Sequence, residues 1–148
     1  VTDALSLSAG YAYTSTDVPL VVNTFSGVTQ KVYIIYTPEN VANVAMDYVR
    51  PLGFADLRLH LDATYAGGAQ SFEQFAQKTD SSFIVNGQAA LADIDTGAGQ
   101  ALTLSLWARN LFNEQHIYRR SEENSATLGD YANFNEPRTF GIEASVKY

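Results

Sequence analysis

One seven-residue stretch concentrates the side chains that could do chemistry. Every second position is ionisable and the positions between them are leucine: Asp56, Arg58, His60 and Asp62 against Leu57, Leu59 and Leu61. Alternation with a period of two puts one set on each face of a β-strand. Carboxylates beside an imidazole could serve acid–base or metal chemistry, but His116, the only other histidine, lies far along the chain. We therefore interpret the four residues as a charge network on a wet wall, with direct ligand contact as the weaker alternative and with no catalytic, cofactor-binding or metal role.

Two further sets of polar residues could meet a ligand or a partner. Arg109 and Glu143 occupy polar positions of two alternating segments near the end of the chain, so we expect them on the same wet wall. Tyr118, Arg119 and Arg120 lie in a long connection, where adjacent guanidinium groups could clamp an anionic ligand. Glu122 and Glu123 follow after one serine, which makes a solvated loop the stronger interpretation of these three residues.

The overall composition excludes several classes of protein. The net charge is -7 without a basic block, which argues against a nucleic-acid partner. There is no cysteine, so disulfides and thiolate chemistry are excluded. Hydrophobic residues make up 46% of the chain, yet no run of about eighteen apolar residues could form a transmembrane helix. The apolar content therefore has to lie in alternating strands.

Six segments alternate between apolar and polar residues and predict β-strands. They span residues 5–14, 41–50, 55–65, 83–93, 102–109 and 139–148. A strand of about ten residues matches the length of a tilted membrane crossing. No segment has the period of an amphipathic helix.

The connections between these segments alternate strictly in length. Residues 51–54 and 94–100 form short links that contain glycine, whereas 15–40, 66–82 and 110–136 are long. Loops above about twelve residues are unusual in compact domains. Alternating short and long links are typical of outer-membrane barrels, which have tight periplasmic turns and extended extracellular loops.

The charged face of the third segment determines the orientation of the predicted wall. Aspartate, arginine and histidine are costly against hydrocarbon, so we expect the leucine face to meet lipid. Aromatic residues fall near both strand ends, as in the interfacial girdles of such barrels: Tyr11, Tyr13, Tyr65 and Phe83 on the loop side, Tyr48 and Tyr148 on the turn side. The sequence predicts an all-β, antiparallel, up-and-down transmembrane β-barrel. Six strands are too few to close one, so we expect part of a larger barrel.

Three motifs resemble the barrel of TonB-dependent outer-membrane receptors. Asn110-Leu111-Phe112 ends an alternating segment, and Pro137-Arg138-Thr139 opens the last segment and leads into Phe140-Gly141. The third is Thr37-Pro38-Glu39-Asn40, followed by Met46-Asp47-Tyr48. The three motifs keep the order that they have in the family.

The resemblance implies a fold, a location and a function. Residues 1–148 would be the C-terminal part of a 22-stranded barrel in the bacterial outer membrane, without the plug domain and the TonB box that lie upstream in the family. Such receptors are transporters and not enzymes. They import a scarce nutrient, most often a ferric siderophore, with energy delivered by TonB.

The chain end also resembles the assembly signal of outer-membrane proteins. Gly141, Ala144, Val146 and Tyr148 fit a pattern of glycine, alternating apolar positions and a terminal aromatic residue. Exposed N–H and C=O groups of such a strand can be captured by strand addition, which implies the assembly machinery as a partner. A simple lipid-facing last strand would carry the same pattern.

Two alternatives remain open from the sequence. The chain could belong to a smaller outer-membrane barrel such as a porin, an adhesin or a barrel enzyme. It could also be a soluble β-sandwich binding module, in which the leucine face of residues 57–61 would pack against a second sheet.

Overall fold

The computed structural model describes residues 4–97, 99–121 and 129–147. Within these residues, all the regular secondary structure is β-strand. Six long strands are β1 (Leu5–Tyr13), β4 (Asn40–Pro51), β5 (Asp56–Ala66), β6 (Ser82–Asp95), β7 (Ala101–Arg109) and β10 (Thr139–Lys147). Four short ones are β2 (Val21–Val22), β3 (Thr29–Gln30), β8 (Ile117–Ser121) and β9 (Tyr131–Phe134). No helix in this part of the chain has the length and apolarity needed to cross a membrane.

The long strands form one sheet in the order β1-β4-β5-β6-β7-β10. Every pair is antiparallel, and each strand lies beside its neighbour in the chain once the short loop strands are set aside. This confirms the predicted all-β, antiparallel, up-and-down arrangement. β1 and β10 are the two edges, since neither pairs with another described strand outside this order. The sheet is therefore open, and closure into a barrel of 22 strands stays a prediction.

The predicted strands lie within two residues of the observed ones at each described end. The alternating pattern was sufficient because each strand has one apolar and one polar face. The four short strands were not predicted, because two to five residues are too few for alternation to be recognised.

The register of the pairs separates the side chains into two faces. One row across the sheet is apolar: Leu7, Met46, Leu61, Gly87, Ala108 and Phe140. The next row, on the other side, contains Ser6, Asp47, His60, Gln88, Trp107 and Gly141. We call these sides the apolar face and the polar face. No described strand outside the sheet packs on the apolar face, where Phe140 and Ile142 are each 78% exposed.

A β-bulge in β6 changes the face of the sheet on which the last residues of this strand lie. The pairing with β7 shifts between Leu91 and Ile94, so Ala92 and Asp93 together lie opposite a single residue. Asp93 has a φ of 56°, in the left-handed region. Uninterrupted alternation would place this carboxylate with Leu91 on the apolar face. The extra residue turns it toward Arg58 on the polar face.

The three long connections contact one another at one end of the sheet. β2 and β3 form a hairpin in the first connection, and β8 and β9 form one in the third. Tyr33 N donates to Glu73 O at 2.9 Å, which joins the first connection to the second. Asp80 N donates to Ile117 O at 3.1 Å, which joins the second to the third. The loops therefore form a layer of their own above the strands.

Candidate functional site

The polar face begins, at the short-turn end, with an ion-pair cluster around Arg58. Its guanidinium pairs with Asp93 across the strands and lies 3.8 Å from Asp56 Oδ2. The sequence analysis predicted Asp56 and Arg58 on this wall, and the structure brings them together. Asp93 was missed, because only the bulge brings it to this face. All three side chains are substantially exposed, so each pair contributes about 0–1 kcal/mol to stability.

His60 lies between two carboxylates in the middle of the polar face. Its Nδ1 is 2.6 Å from Asp47 Oδ1, and its Nε2 is 3.6 Å from Asp62 Oδ1. Asn86 Nδ2 then donates to Asp62 Oδ2 at 2.8 Å. The predicted neighbour Asp62 is present, but the closer partner is Asp47 on β4. Its pairing with His60 depends on the strand register, which the sequence alone does not give.

The polar network continues from the strands into the base of the last long connection. Asn110 N donates to Asn86 Oδ1 at 3.1 Å. The Asn110 side chain accepts from Glu114 N at 2.8 Å and donates to Glu114 O at 2.8 Å and Glu136 O at 3.1 Å. Asn110 is only 5% exposed and has a φ of 50°. Asparagine tolerates this left-handed conformation better than most residues do.

The remaining motif residues close the same junction from both sides. Asn113 N donates to Asn110 O at 2.8 Å, and Arg138 N donates to Asn113 Oδ1 at 3.0 Å. Arg138 also reaches Leu111 O at 3.5 Å. Phe112 is left exposed. The segment from Asn110 and the one around Arg138, which lie far apart in the sequence, therefore meet where β7 ends and β10 begins.

Several side chains of the polar face line a recess near the loop end of the sheet. We call it the wall recess. It has a volume of about 360 Å³ and is lined by the side chains of His60, Asp62, Asn86, Gln88, Trp107, Arg109 and Glu143. Four of the predicted wall residues thus meet in one place: His60, Asp62, Arg109 and Glu143. The Arg109 guanidinium carbon lies 5.7 Å from the centre of the Trp107 ring.

The Tyr118-Arg119-Arg120 segment lies on β8, in the loop layer. Arg120 Nη2 is 3.6 Å from Asp80 Oδ1. The Arg119 guanidinium carbon lies 5.4 Å from the centre of the Phe72 ring, and its Nε is buried without a hydrogen-bond partner among the described residues. The two guanidinium groups therefore contact different side chains of the second connection, and Tyr118 stays exposed.

The last strand packs closely against its neighbour through one glycine. A Cβ atom at position 141 would lie 2.6 Å from Trp107 Cζ2, so the indole occupies the space that a side chain of residue 141 would need. Ala144 and Val146 pair with Leu104 and Leu102 on the apolar face. Tyr148, the predicted end of the assembly signal, lies outside the described residues.

Aromatic residues of the predicted loop-side girdle form a row across three strand pairs. Tyr11 pairs with Ala42, Ala42 with Tyr65, and Tyr65 with Phe83. Tyr13 lies two pairs further toward the loops, opposite Asn40. On the other half of the sheet, Tyr48 pairs with Leu5 and lies nearer the short turns.

The arrangement can bind polar groups. Among the described residues, no group of three or more histidine or acidic side chains is placed to hold a metal ion. The sequence analysis gave Asn86 and Gln88 no role, and it did not connect Trp107 with Gly141. Only the register revealed these contacts.

Comparisons of this chain with protein-family models, with curated proteins and with solved structures find no match.

Proposed function

We propose that this chain forms part of the wall of a TonB-dependent receptor in the bacterial outer membrane. The whole protein would import a scarce nutrient. The observation that carries this proposal is the two-faced open sheet: one side is apolar and uncovered, and the other carries a connected polar network. A sheet of this kind suits a wall between lipid and a wet interior.

The apolar face argues against the soluble alternative. A β-sandwich would bury this face against a second sheet, yet Leu106 is 58% exposed and Phe140 and Ile142 are more so. A large exposed apolar surface marks contact with a membrane or another protein. The two hairpins of the loop layer do not cover it.

The lengths of the connections also support a membrane wall and indicate which end of the sheet faces the periplasm. Short links join β4 to β5 and β6 to β7, whereas the other three links are long and contact one another. In the proposed barrel the short links are periplasmic and the loop layer is extracellular. The motif residues around Asn110 and Arg138 then anchor the last extracellular loop.

The proposed partners follow from the resemblance. They are outer-membrane lipid around the apolar face, TonB acting through an upstream part of the protein, and the outer-membrane assembly machinery acting on β10. A ferric siderophore is the cargo that the resemblance implies, and it stays a prediction.

A matched pair of substitutions tests the membrane orientation. Leu106 is exposed, so Leu106→Asp costs little if the face meets water. A charge inside the hydrocarbon layer costs about 2–4 kcal/mol for arginine or lysine and somewhat less for aspartate. We expect Leu106→Asp to reduce the amount of protein recovered in the outer-membrane fraction. Thr103→Asp, on the same strand but on the polar face, should leave that amount unchanged. Equal recovery of both variants would contradict the proposal.

Dependence on TonB distinguishes the receptor from a smaller barrel. We expect growth on a limiting nutrient to require both the protein and an intact TonB system. A porin, an adhesin or a barrel enzyme would work equally well in cells that lack TonB.

A further inference from the structure

The wall recess combines one aromatic ring with a circle of hydrogen-bonding side chains. Trp107 projects from β7, and the polar side chains around it come from β5, β6, β7 and β10. The volume of about 360 Å³ lies at the lower end of the range of about 300–1,000 Å³ for small-molecule sites. The recess is therefore large enough for a small ligand.

Part of the lining is already engaged, and part is available. His60, Asp62 and Asn86 bond to one another or to Asp47 and Asn110. These contacts fix one side of the recess. Among the described residues, Gln88 and Glu143 make no hydrogen bond or ion pair, and the contact found for the Arg109 side chain is the one with the Trp107 ring. The polar groups of these three side chains are therefore available to bond to a ligand in the recess.

The charges of the recess favour a neutral ligand. Asp62 and Glu143 are two carboxylates against the guanidinium of Arg109 and the imidazole of His60, which Asp47 and Asp62 already flank. An anionic iron complex needs clustered cations, and these are missing from the described lining. A cationic ligand would be repelled by the guanidinium group of Arg109. A sugar carries hydroxyl groups that both donate and accept, while its C–H groups pack on an aromatic ring.

We propose that the wall recess binds a neutral mono- or disaccharide. Trp107 packs against the sugar ring, and Gln88, Arg109 and Glu143 bond to its hydroxyl groups. Saccharide binding rests on the recess alone. Its consequence, that the imported nutrient is a carbohydrate and not a ferric siderophore, rests on the proposed function.

Calorimetric titration of the full-length protein in detergent tests this proposal. The ligands are glucose, xylose, maltose, cellobiose and lactose, with ferric citrate and a ferric tris-catecholate complex as competing candidates. We expect binding of at least one sugar and of neither iron complex.

Three variants locate the site, and a fourth serves as the control. Trp107→Leu should weaken sugar binding about tenfold or more, since a packed aromatic ring is lost. Glu143→Gln, which keeps the side-chain volume, and Gln88→Ala, which removes the amide, should each weaken it several-fold. Thr103→Ala, on the same strand and face but outside the recess, should bind like the unaltered protein. Each variant is first checked for the heat-modifiable gel migration of a folded barrel.

The outcomes separate this proposal from the proposed function. The proposal fails if no sugar binds, if only an iron complex binds, or if sugar binding survives Trp107→Leu and Glu143→Gln. The protein could then still be an outer-membrane receptor for another cargo. Sugar binding by a protein absent from the outer membrane would support the recess and contradict the receptor.

Discussion

At the scale of single residues, asparagine side chains substitute for regular pairing where strands meet loops. Asn110 and Asn113 both have positive φ values, and Asn110 is almost fully buried. Asn135 extends the junction by donating to Glu114 O at 3.0 Å and accepting from His116 N at 2.9 Å. Backbone groups that leave the sheet at this point therefore find side-chain partners.

Replacing Asn110 should destabilise the protein more than most substitutions do. Asn110→Ala removes three side-chain hydrogen bonds and strains a positive φ, so we expect a loss of about 2–4 kcal/mol in the free energy of unfolding. Asn110→Gly removes the same bonds but accepts the backbone conformation, and should lose about 1 kcal/mol less. Urea unfolding in detergent measures both values. Equal values for the two variants would show that the conformation does not matter.

The contact between Gly141 and Trp107 predicts a coupled pair. Gly141→Ala places a methyl group where the indole lies, and overpacking of this kind costs about 1–3 kcal/mol. In a Trp107→Ala background the same substitution should cost almost nothing. A double-mutant cycle of unfolding free energies measures the coupling. Additive effects would contradict the predicted clash.

At the scale of elements, the bulge in β6 keeps the apolar side chains on one face although their period-two alternation is interrupted after Leu91. Leu91 and Ile94 both keep their places opposite leucines of β7, although they are three positions apart. The extra residue is accommodated by the left-handed φ of Asp93. The strand therefore keeps one apolar face along its full length and gains a carboxylate on the other.

Single-residue deletions in β6 should differ sharply in effect. Deleting Asp93 removes the bulge and the ion pair with Arg58 but leaves Ile94 opposite its partner, so we expect a folded protein that is about 1 kcal/mol less stable. Deleting Ala90 instead inverts the faces of the residues between it and the bulge. That variant should be less stable than the Asp93 deletion, because Leu91 moves to the polar face, as measured by urea unfolding in detergent. Similar behaviour of the two deletions would contradict the assigned register.

At the scale of the whole molecule, the chain presents two unpaired edges and an uncovered apolar face. Such edges are templates for pairing with another chain. The loop layer covers neither edge, since its two hairpins form separate sheets. The unpaired edges of the described sheet thus need further strands as partners, and its apolar face needs lipid or another apolar surface.

Isolation of the 148-residue chain should therefore reveal its dependence on an apolar environment. We expect aggregation in plain buffer and dispersed, strand-rich particles in detergent micelles, measured by light scattering and circular dichroism. A monodisperse, cooperatively unfolding monomer in plain buffer would contradict the membrane assignment.

The sequence predicted the strands and their faces but not the contacts between them. Alternation identifies which residues share a face, so Asp56, Arg58, His60 and Asp62 could be placed together. Register decides which residues of different strands meet, and the pairing of Asp47 with His60 depends on it. The bulge was not predicted either, because the alternating segment was taken to end at residue 93, one residue before Ile94 continues the apolar face. The two motifs likewise gave no indication that the segments at Asn110 and Arg138 meet in one junction.

The linear strand order also bears on how such a chain could change during evolution. Each long strand pairs only with the long strands before and after it in the sequence. Removing or duplicating one hairpin would leave every other pair intact, and no segment would have to thread past another. A wall of this type can grow or shrink two strands at a time, and the width of the enclosed space would follow the number of hairpins.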